Sequence, residues 1–312
     1  MRAVVISSYF YAQFLQVPRL PRAGQSIVAT EFSAELGGKG FNLAAALRRL
    51  GAKTDLLMAI GRDEFGDRMV QMVREFGMSA KLLHRVEAMS GRGVGFVAPD
   101  SDNCLAMYMG ANLLLSAAHA RMAAPAIRAA NWASAQFESP DEPIMEVFAI
   151  ARQAGVRTYL NPSPWREPAA GLLELVDSLV VNQTEASELF GVSDAVEWPP
   201  RAWAEKLLEL ARARALESRL IVVTLGSEGA IALTPSGDTV YAPAHEIEQV
   251  DATGAGDAFG AGLIWSLGRG EDILQALRTG NACGAILARS SGILRNLPDQ
   301  PTLERFIGEG KG

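Results

Sequence analysis

The run Asp251-Ala252-Thr253-Gly254-Ala255-Gly256-Asp257 stands directly before an apolar, helix-like stretch, Ala258-Phe259-Gly260-Ala261-Gly262. Glycines let a backbone approach a phosphate closely. The free N–H groups of a first helical turn, together with the helix dipole, form an anion site. A helix starting near Ala255 would aim those N–H groups at a transferring phosphate. Asp257, in the first turn, could then accept a proton from an attacking hydroxyl. The same residues also suit a helix cap and tight packing, and spacing alone leaves both open.

Three further groups carry potential chemistry. Gly37-Gly38-Lys39-Gly40-Phe41-Asn42 opens a helical stretch, where Lys39 and Asn42 offer donors to hydroxyls; a plain helix entry with a solvated lysine is the other reading. Asn182-Gln183-Thr184-Glu185 follows an apolar strand, which is where open α/β sheets hold ligands. Asn182 and Glu185 suit a hydrated Mg²⁺ with phosphates, or an ordinary helix start. Thr224-Leu225-Gly226-Ser227-Glu228-Gly229 follows another apolar strand and suits a phosphate or nucleotide cradle, or a tight turn. His84, His119 and His245 show no ligand spacing and receive no role.

The elements that must position these residues follow from periodicity. Apolar runs predict strands at 2–7, 54–60, 133–138, 156–161, 178–182, 220–225 and 230–233. Amphipathic segments predict helices at 40–50, 64–76, 116–129, 142–154, 168–176, 184–190, 201–217, 257–268, 271–289 and 301–309. This alternation indicates crossover units and a largely parallel sheet. Consecutive apolar positions such as Leu220-Ile221-Val222-Val223 suit strands covered on both faces. Residues 8–36 and 91–110 break the rhythm, the second with turn signals at Pro99-Asp100-Ser101-Asp102-Asn103. Both read as antiparallel hairpins that could together form a small lid sheet.

The bulk properties exclude several classes. A chain of 312 residues with net charge −6 lacks the basic balance of a nucleic-acid binder. No apolar run approaches the ~18 residues of a membrane span, and the N-terminal Ala3-Val4-Val5-Ile6 reads as a strand rather than a signal peptide. Cys104 and Cys283 have no CxxC partner and read as buried small hydrophobes in a reducing cytoplasm.

Taken in order, the motifs resemble the PfkB carbohydrate kinase family, of which ribokinase is the type, over nearly the whole chain. Gly37 to Asn42 matches its Gly-Gly-Lys-Gly-x-Asn signature, and Gly254 to Asp257 its Gly-Ala-Gly-Asp signature. Asn182 and Glu185 match its Asn-x-x-Glu motif, and Thr224 to Ser227 its nucleotide-side loop. Gln136-Phe137-Glu138-Ser139-Pro140 is similar to the segment that brings a glutamate to the sugar, and Asn161-Pro162-Ser163-Pro164 also follows the family.

The resemblance implies one ribokinase-like domain over 1–312: a three-layer α/β/α core, a mainly parallel central sheet, and a β-sheet lid from roughly 8–36 and 91–110. It implies an ATP-dependent kinase acting on a hydroxyl of a sugar or sugar-like molecule, using Mg²⁺ and, in many members, K⁺. Asp257 would be the base, with Gly254, Ala255 and Gly256 as the anion hole. Gly38, Lys39, Asn42, Glu138 and Asp257 would hold the acceptor. Asn182, Glu185, Thr224, Gly226, Gly229, Gly256 and Asn281 would serve the nucleotide, Glu185 would hold Mg²⁺ through water, and Asp251 with Thr253 would serve K⁺. A homodimer through the lid is also implied.

The sequence departs from the family at four places. Phe10 and Ala12 stand where members usually present an Asn and an Asp that grip sugar hydroxyls. Losing hydrogen bonds to hydroxyls changes substrate choice, so ribose is not expected. Arg92, in the second lid stretch, could meet an anionic substrate or remain a solvated lid residue. Ala252 replaces a common threonine, and Asn296 replaces a serine near the C-terminal end of the monovalent-ion loop. A nucleoside kinase of the same fold is the nearest rival, because Phe10 could stack on a base. A non-catalytic binding protein is a further alternative. A nicotinamide-dependent dehydrogenase is weak, since no glycine-rich loop follows the first strand.

Overall fold

The structure is a computed structural model that describes residues 1–98 and 103–309. In chain order it contains β1 (Arg2–Ile6), β2 (Phe10–Gln16), β3 (Glu31–Gly37), α1 (Lys39–Arg49), β4 (Lys53–Gly61), α2 (Glu64–Glu75), β5 (Leu83–Val86), β6 (Gly91–Val97) and β7 (Asn103–Tyr108). There follow α3 (Ala117–Met122), α4 (Ala124–Arg128), β8 (Trp132–Gln136), α5 (Asp141–Gln153), β9 (Arg157–Asn161), β10 (Ser178–Asn182) and α6 (Gln183–Phe190). The chain closes with α7 (Pro200–Ala213), β11 (Leu220–Thr224), β12 (Ala230–Leu233), β13 (Thr239–Ala242), α8 (Ala255–Gly268), α9 (Ile273–Ala288) and α10 (Gln300–Glu309).

Nine strands form the central sheet in the order β13-β12-β11-β10-β9-β8-β1-β4-β5. The pairs from β11 to β5 are parallel, while β12 and β13 run antiparallel at one edge. Side chains alternate between two cores. Ala3, Val5, Val180 and Val222 face one core, built with Phe41, Met69, Leu263 and Leu277. Val4, Ile6, Val181 and Val223 face the other, built with Ile127, Phe148, Leu189 and Trp203. Because both faces are covered by helices, each strand needs apolar residues at every position. This produces the unbroken hydrophobic runs.

The two irregular stretches form hairpins, β2–β3 and β6–β7, as expected. They join through a parallel β2–β6 pairing into a four-stranded sheet, order β3-β2-β6-β7. The turn signals at 99–102 lie outside the described residues.

Several expected elements differ. The segment 168–176 holds only a 3₁₀ turn at Leu173–Leu175, because Pro168 and the left-handed Gly171 (φ 80°) interrupt any longer helix. The helix expected over 116–129 is two short ones, since Pro125 removes an N–H donor and starts a new helix at α4. The helix over 201–217 stops at Ala213, with Ala215 at φ 52°. The edge strands β5 and β13 were not expected; they are four residues each and mixed in polarity. Cys283 is buried as expected, but Cys104 is exposed on the edge strand β7.

Candidate active site

Strands β1, β8, β9, β10 and β11 are parallel, so their C-terminal ends all deliver side chains to one edge of the sheet. Ser8 follows β1, Glu138 follows β8, and Asn161, Asn182 and Thr224 are the last residues of β9, β10 and β11. That edge is where open α/β sheets hold ligands. Helices α1 and α8 start beside it, and they tie together two motifs far apart in sequence: Asn42 Nδ2 donates to Asp257 Oδ2 at 2.9 Å.

Gly38 makes the entry to α1 possible. Its φ of 145° is open to glycine, and a Cβ there would collide with the carbonyl oxygen of Ser8. The first helical amide, Lys39 N–H, then donates to Glu138 Oε2 at 2.7 Å. The Ser8 hydroxyl donates to the same oxygen. Helix α1 has no acidic residue in its first turn, so Glu138 supplies the anion its N-terminus favours from another strand.

Asp257 lies in the first turn of α8 and is 6% exposed. Burial pushes its carboxyl up to about 6, against the pull of Lys39 and the Asn42 hydrogen bond; the carboxylates of Glu138 and Glu185 push it further up. A carboxyl that titrates near neutrality is suited to taking a proton. Tyr159, buried beneath, is pushed up chiefly by burial and then by Asp257 and Glu185, and stays neutral. The α8 N-terminus is shaped by Gly254, whose φ is 79°. The Ile293 side chain would lie 3.0 to 3.3 Å from a Cβ at that position.

Glu185 is buried and accepts the Asn182 N–H at 3.0 Å and the Asn161 amide at 3.3 Å, both on Oε2. Asn182 Oδ1 in turn accepts the Glu185 N–H at 2.8 Å. The Asn-x-x-Glu motif is thus a reciprocal capping box. Glu138, Glu185 and Asp257 share one pattern. Each is anchored through a single carboxylate oxygen, and its other oxygen has no protein donor among the described residues. Among the described residues, no three His, Cys, Asp or Glu converge as a protein-only metal cage.

A cleft of about 450 Å³ opens beside the α8 N-terminus, lined by Thr224, Gly226, Gly229, Ala255, Gly256 and Asn281 among others. Asn281 contributes its wall rather than a free amide, because Nδ2 donates to the carbonyls of Ala242 and Pro243 at 3.0 and 2.9 Å. Asp251 and Thr253 lie outside the cleft lining; Asp251 Oδ1 accepts the Thr253 N–H at 2.9 Å and so shapes the turn into α8.

Sequence reasoning missed Ser8 as the partner of Glu138 and Asn161 as the partner of Glu185. Each sits beside a named motif, but their pairing depends on strand register. It also gave His245 no role, whereas His245 and Ile247 line the cleft. His84 and His119 stack with ring centroids 4.3 Å apart, away from the site. Arg92 does not face the strand side that carries Ala12 and Gly93. It alternates to the other face and lies 4.4 Å over the Phe65 ring.

The model for the pfkB family carbohydrate kinase matches residues 2–300. Ribokinase from Haemophilus influenzae is 30% identical over 302 residues, covering 96% of each chain. Deoxyribokinase from Salmonella typhimurium is 30% identical over 262 residues, covering 83% of each. The structure of Arabidopsis thaliana ribokinase complexed with ribose and ATP superposes with a TM-score of 0.87 over 98% of both chains, at 24% identity, and so speaks to the fold. With the glycine-led entries to α1 and α8 meeting at Asn42 and Asp257, and the family model spanning the lid and core alike, this chain belongs to the pfkB family of carbohydrate kinases.

Proposed function

We propose that the protein moves the γ-phosphate of ATP onto a hydroxyl of a sugar or sugar-like small molecule, with Asp257 as the base. The observation that carries this reading is the shared design of the three carboxylates, each fixed by one oxygen and open at the other, around the α8 N-terminus.

In the transfer, Asp257 Oδ1 takes the proton of the acceptor hydroxyl while Asn42 holds Oδ2. The freed oxygen attacks the γ-phosphorus, and the bond to the ADP oxygen breaks. The backbone N–H groups at Gly254 and Gly256 stabilise the charge on the transferring group, which is the main demand of phosphoryl transfer; the Ala255 N–H, expected to join them, donates instead to the Ala252 carbonyl at 3.1 Å and holds the turn into α8. Lys39 balances the local negative charge, and Glu138 with Asn42 and the Gly38–Lys39 backbone positions the acceptor. Thr224, Gly226, Gly229 and Asn281 form the nucleotide side. The site also fits Mg²⁺: Glu185 and Asn182 would hold it through water, with phosphates completing the shell. When bound, the ion neutralises phosphate oxygens.

K⁺ fits less well. Asp251 Oδ1 is taken by the Thr253 N–H, and the carbonyls of Ser291 and Gly292 already accept the Asn296 amide at 2.8 Å each. No step is routed through it.

The acceptor is sugar-like rather than a nucleoside. A nucleoside would need the Phe10 ring free to stack on its base, but Phe10 is 4% exposed, with its ring edge over Gly91. Ala12 and Gly93 pair beside it, so the lid offers the acceptor apolar surface instead of a carboxylate. A non-catalytic binding role is disfavoured by a buried carboxylate tuned towards neutrality. The whole of 1–312 acts as one kinase unit, with the lid strands inside 8–36 and 91–110. Exposed Leu105 and Met107, which share one face of the lid sheet, suit a homodimer formed there. No helix among the described residues is long and apolar enough to cross a membrane, and a cytoplasmic site of action goes with an ATP-consuming sugar kinase.

The test is Mg·ATP turnover by ADP release across pentoses, deoxysugars, hexoses, sugar acids and nucleosides. An acceptor whose turnover falls as pH drops through about 6 supports the assignment of Asp257. A response to nucleosides alone would overturn the acceptor reading.

A further inference from the structure

The loop between α9 and α10 is held by side chains in an unusual density. Asn296 Nδ2 donates to the carbonyls of Ser291 and Gly292 at 2.8 Å each. A single NH₂ thereby uses both of its hydrogens. On the next two residues but one, Arg49 Nη1, at the end of α1, donates to the carbonyls of Leu294 and Arg295 at 3.3 and 3.2 Å. Four carbonyls in a five-residue loop therefore converge on two donors of this chain's own. Between them sits Ile293, whose side chain packs on Gly254, the residue that turns the backbone into α8. The lid does not fill this region; a cavity of about 430 Å³ separates the loop from β3.

A loop of converging carbonyls needs positive charge or N–H donors to stay closed, because unpaired carbonyls repel one another and lose hydrogen bonds to water when covered. The Asn296 nitrogen lies at hydrogen-bond distance from both carbonyls, in the space an ion bridging them would need. The Arg49 guanidinium adds a fixed positive charge beside it.

We propose that Asn296 and Arg49 are positioning residues for the anion hole: they clamp the 291–296 loop under Gly254 in place of a monovalent cation. Phosphoryl transfer by this protein is consequently indifferent to K⁺. The clamp is internal, so the geometry of the Gly254–Gly256 amides is set by folding and not by ionic conditions.

The turnover arm of the test rests on the kinase reading; the binding arm does not. Mg·ATP affinity and thermal midpoint of the wild-type protein are measured in KCl, NaCl and choline chloride at equal ionic strength. The expected result is no difference between the three salts in either quantity. With an accepted substrate in hand, Asn296→Ala and Arg49→Met lose up to ~10²-fold in kcat, as a displaced but intact site does, with little change in the KM for the acceptor. Arg49→Lys, which keeps the charge, recovers part of it. Wild-type ATP affinity or turnover that rises with K⁺ over choline would overturn the proposal, as would an Asn296→Ala protein with wild-type kcat. Should Asn296→Ala fail to fold, the salt series on the wild type still decides. Absence of turnover with every acceptor, alongside salt-independent ATP binding, would count against the kinase reading and leave the clamp standing.

Discussion

At the α8 end of the cleft, the groups on offer are backbone amides and a helix start: Gly254 turns the chain, α8 begins at Ala255, and Asp257 follows in the first turn. On the lid they are side chains on strands, where Phe10 is buried and Ala12 is paired with Gly93. The first kind of site tolerates few substitutions, because it depends on left-handed backbone and on a dipole. The second is revised by changing one side chain on a strand whose backbone pairing is unaffected. The helix starts therefore keep the family pattern while the lid strand departs from it at Phe10 and Ala12.

The sharpest break of this comparison is at Asp257. Asp257→Asn is expected to lose at least ~10²-fold in turnover, as removal of a general base does, with ATP affinity retained by isothermal titration. Near-normal turnover would remove the catalytic end of the comparison. The same variant should be more stable at pH 8. A buried carboxyl raised from 3.8 to about 6 favours folding in its protonated form, so stability is lost as pH rises through that interval. Relieving the ionised group gains up to about 3 kcal/mol above pH 6. Denaturant unfolding should show that gain shrink towards pH 4, and an Asp257→Asn protein less stable than wild type at pH 8 would contradict it.

At the acceptor end, Ala12→Asp restores a carboxylate on the lid and is expected to shift kcat/KM by about tenfold towards acceptors with more hydroxyls, one hydrogen bond to a charged group being worth about 1.5 kcal/mol or more. Unchanged preference in a substrate panel would mean the lid face does not read the acceptor. The smallest effect is at Asn182→Ala, which breaks the capping box of α6 and should cost about 1 kcal/mol of stability. A loss confined to Mg²⁺ dependence of ATP binding, with stability unchanged, would move Asn182 from cap to ion site.

The helix starts α1 and α8 were largely legible in the sequence because glycine-led helix entries are local: Gly37–Asn42 and Gly254–Asp257 each announce their own geometry. The strands were legible for the same reason, since burial on both faces writes an unbroken apolar run. What was not legible depends on register and alternation. Arg92 and Gly93 are neighbours in sequence, yet one reaches Phe65 while the other faces Ala12 and Met107. Phe10 has the ring of a stacking surface, but its burial over Gly91 follows from the β2–β6 register, which the sequence does not show. Asn281 lines the cleft, but its amide is held by the exit of β13. The helix expected over 168–176 failed because a good apolar pattern was read past Pro168 and Gly171.

The β2–β3 hairpin leaves the core after Ser8 and returns at Gly38, and both roots are fastened to one atom, Glu138 Oε2. The two roots share one anchor, while β2 is also paired along its length with β6 and the Tyr9 backbone is held by Asn112, so the hairpin moves only together with the rest of the four-stranded lid. Under the proposed kinase reading, an acceptor on the free oxygen of Glu138 would load that shared anchor. Through this one side chain, a molecule at the floor of the cleft would reach both roots of the hairpin at once.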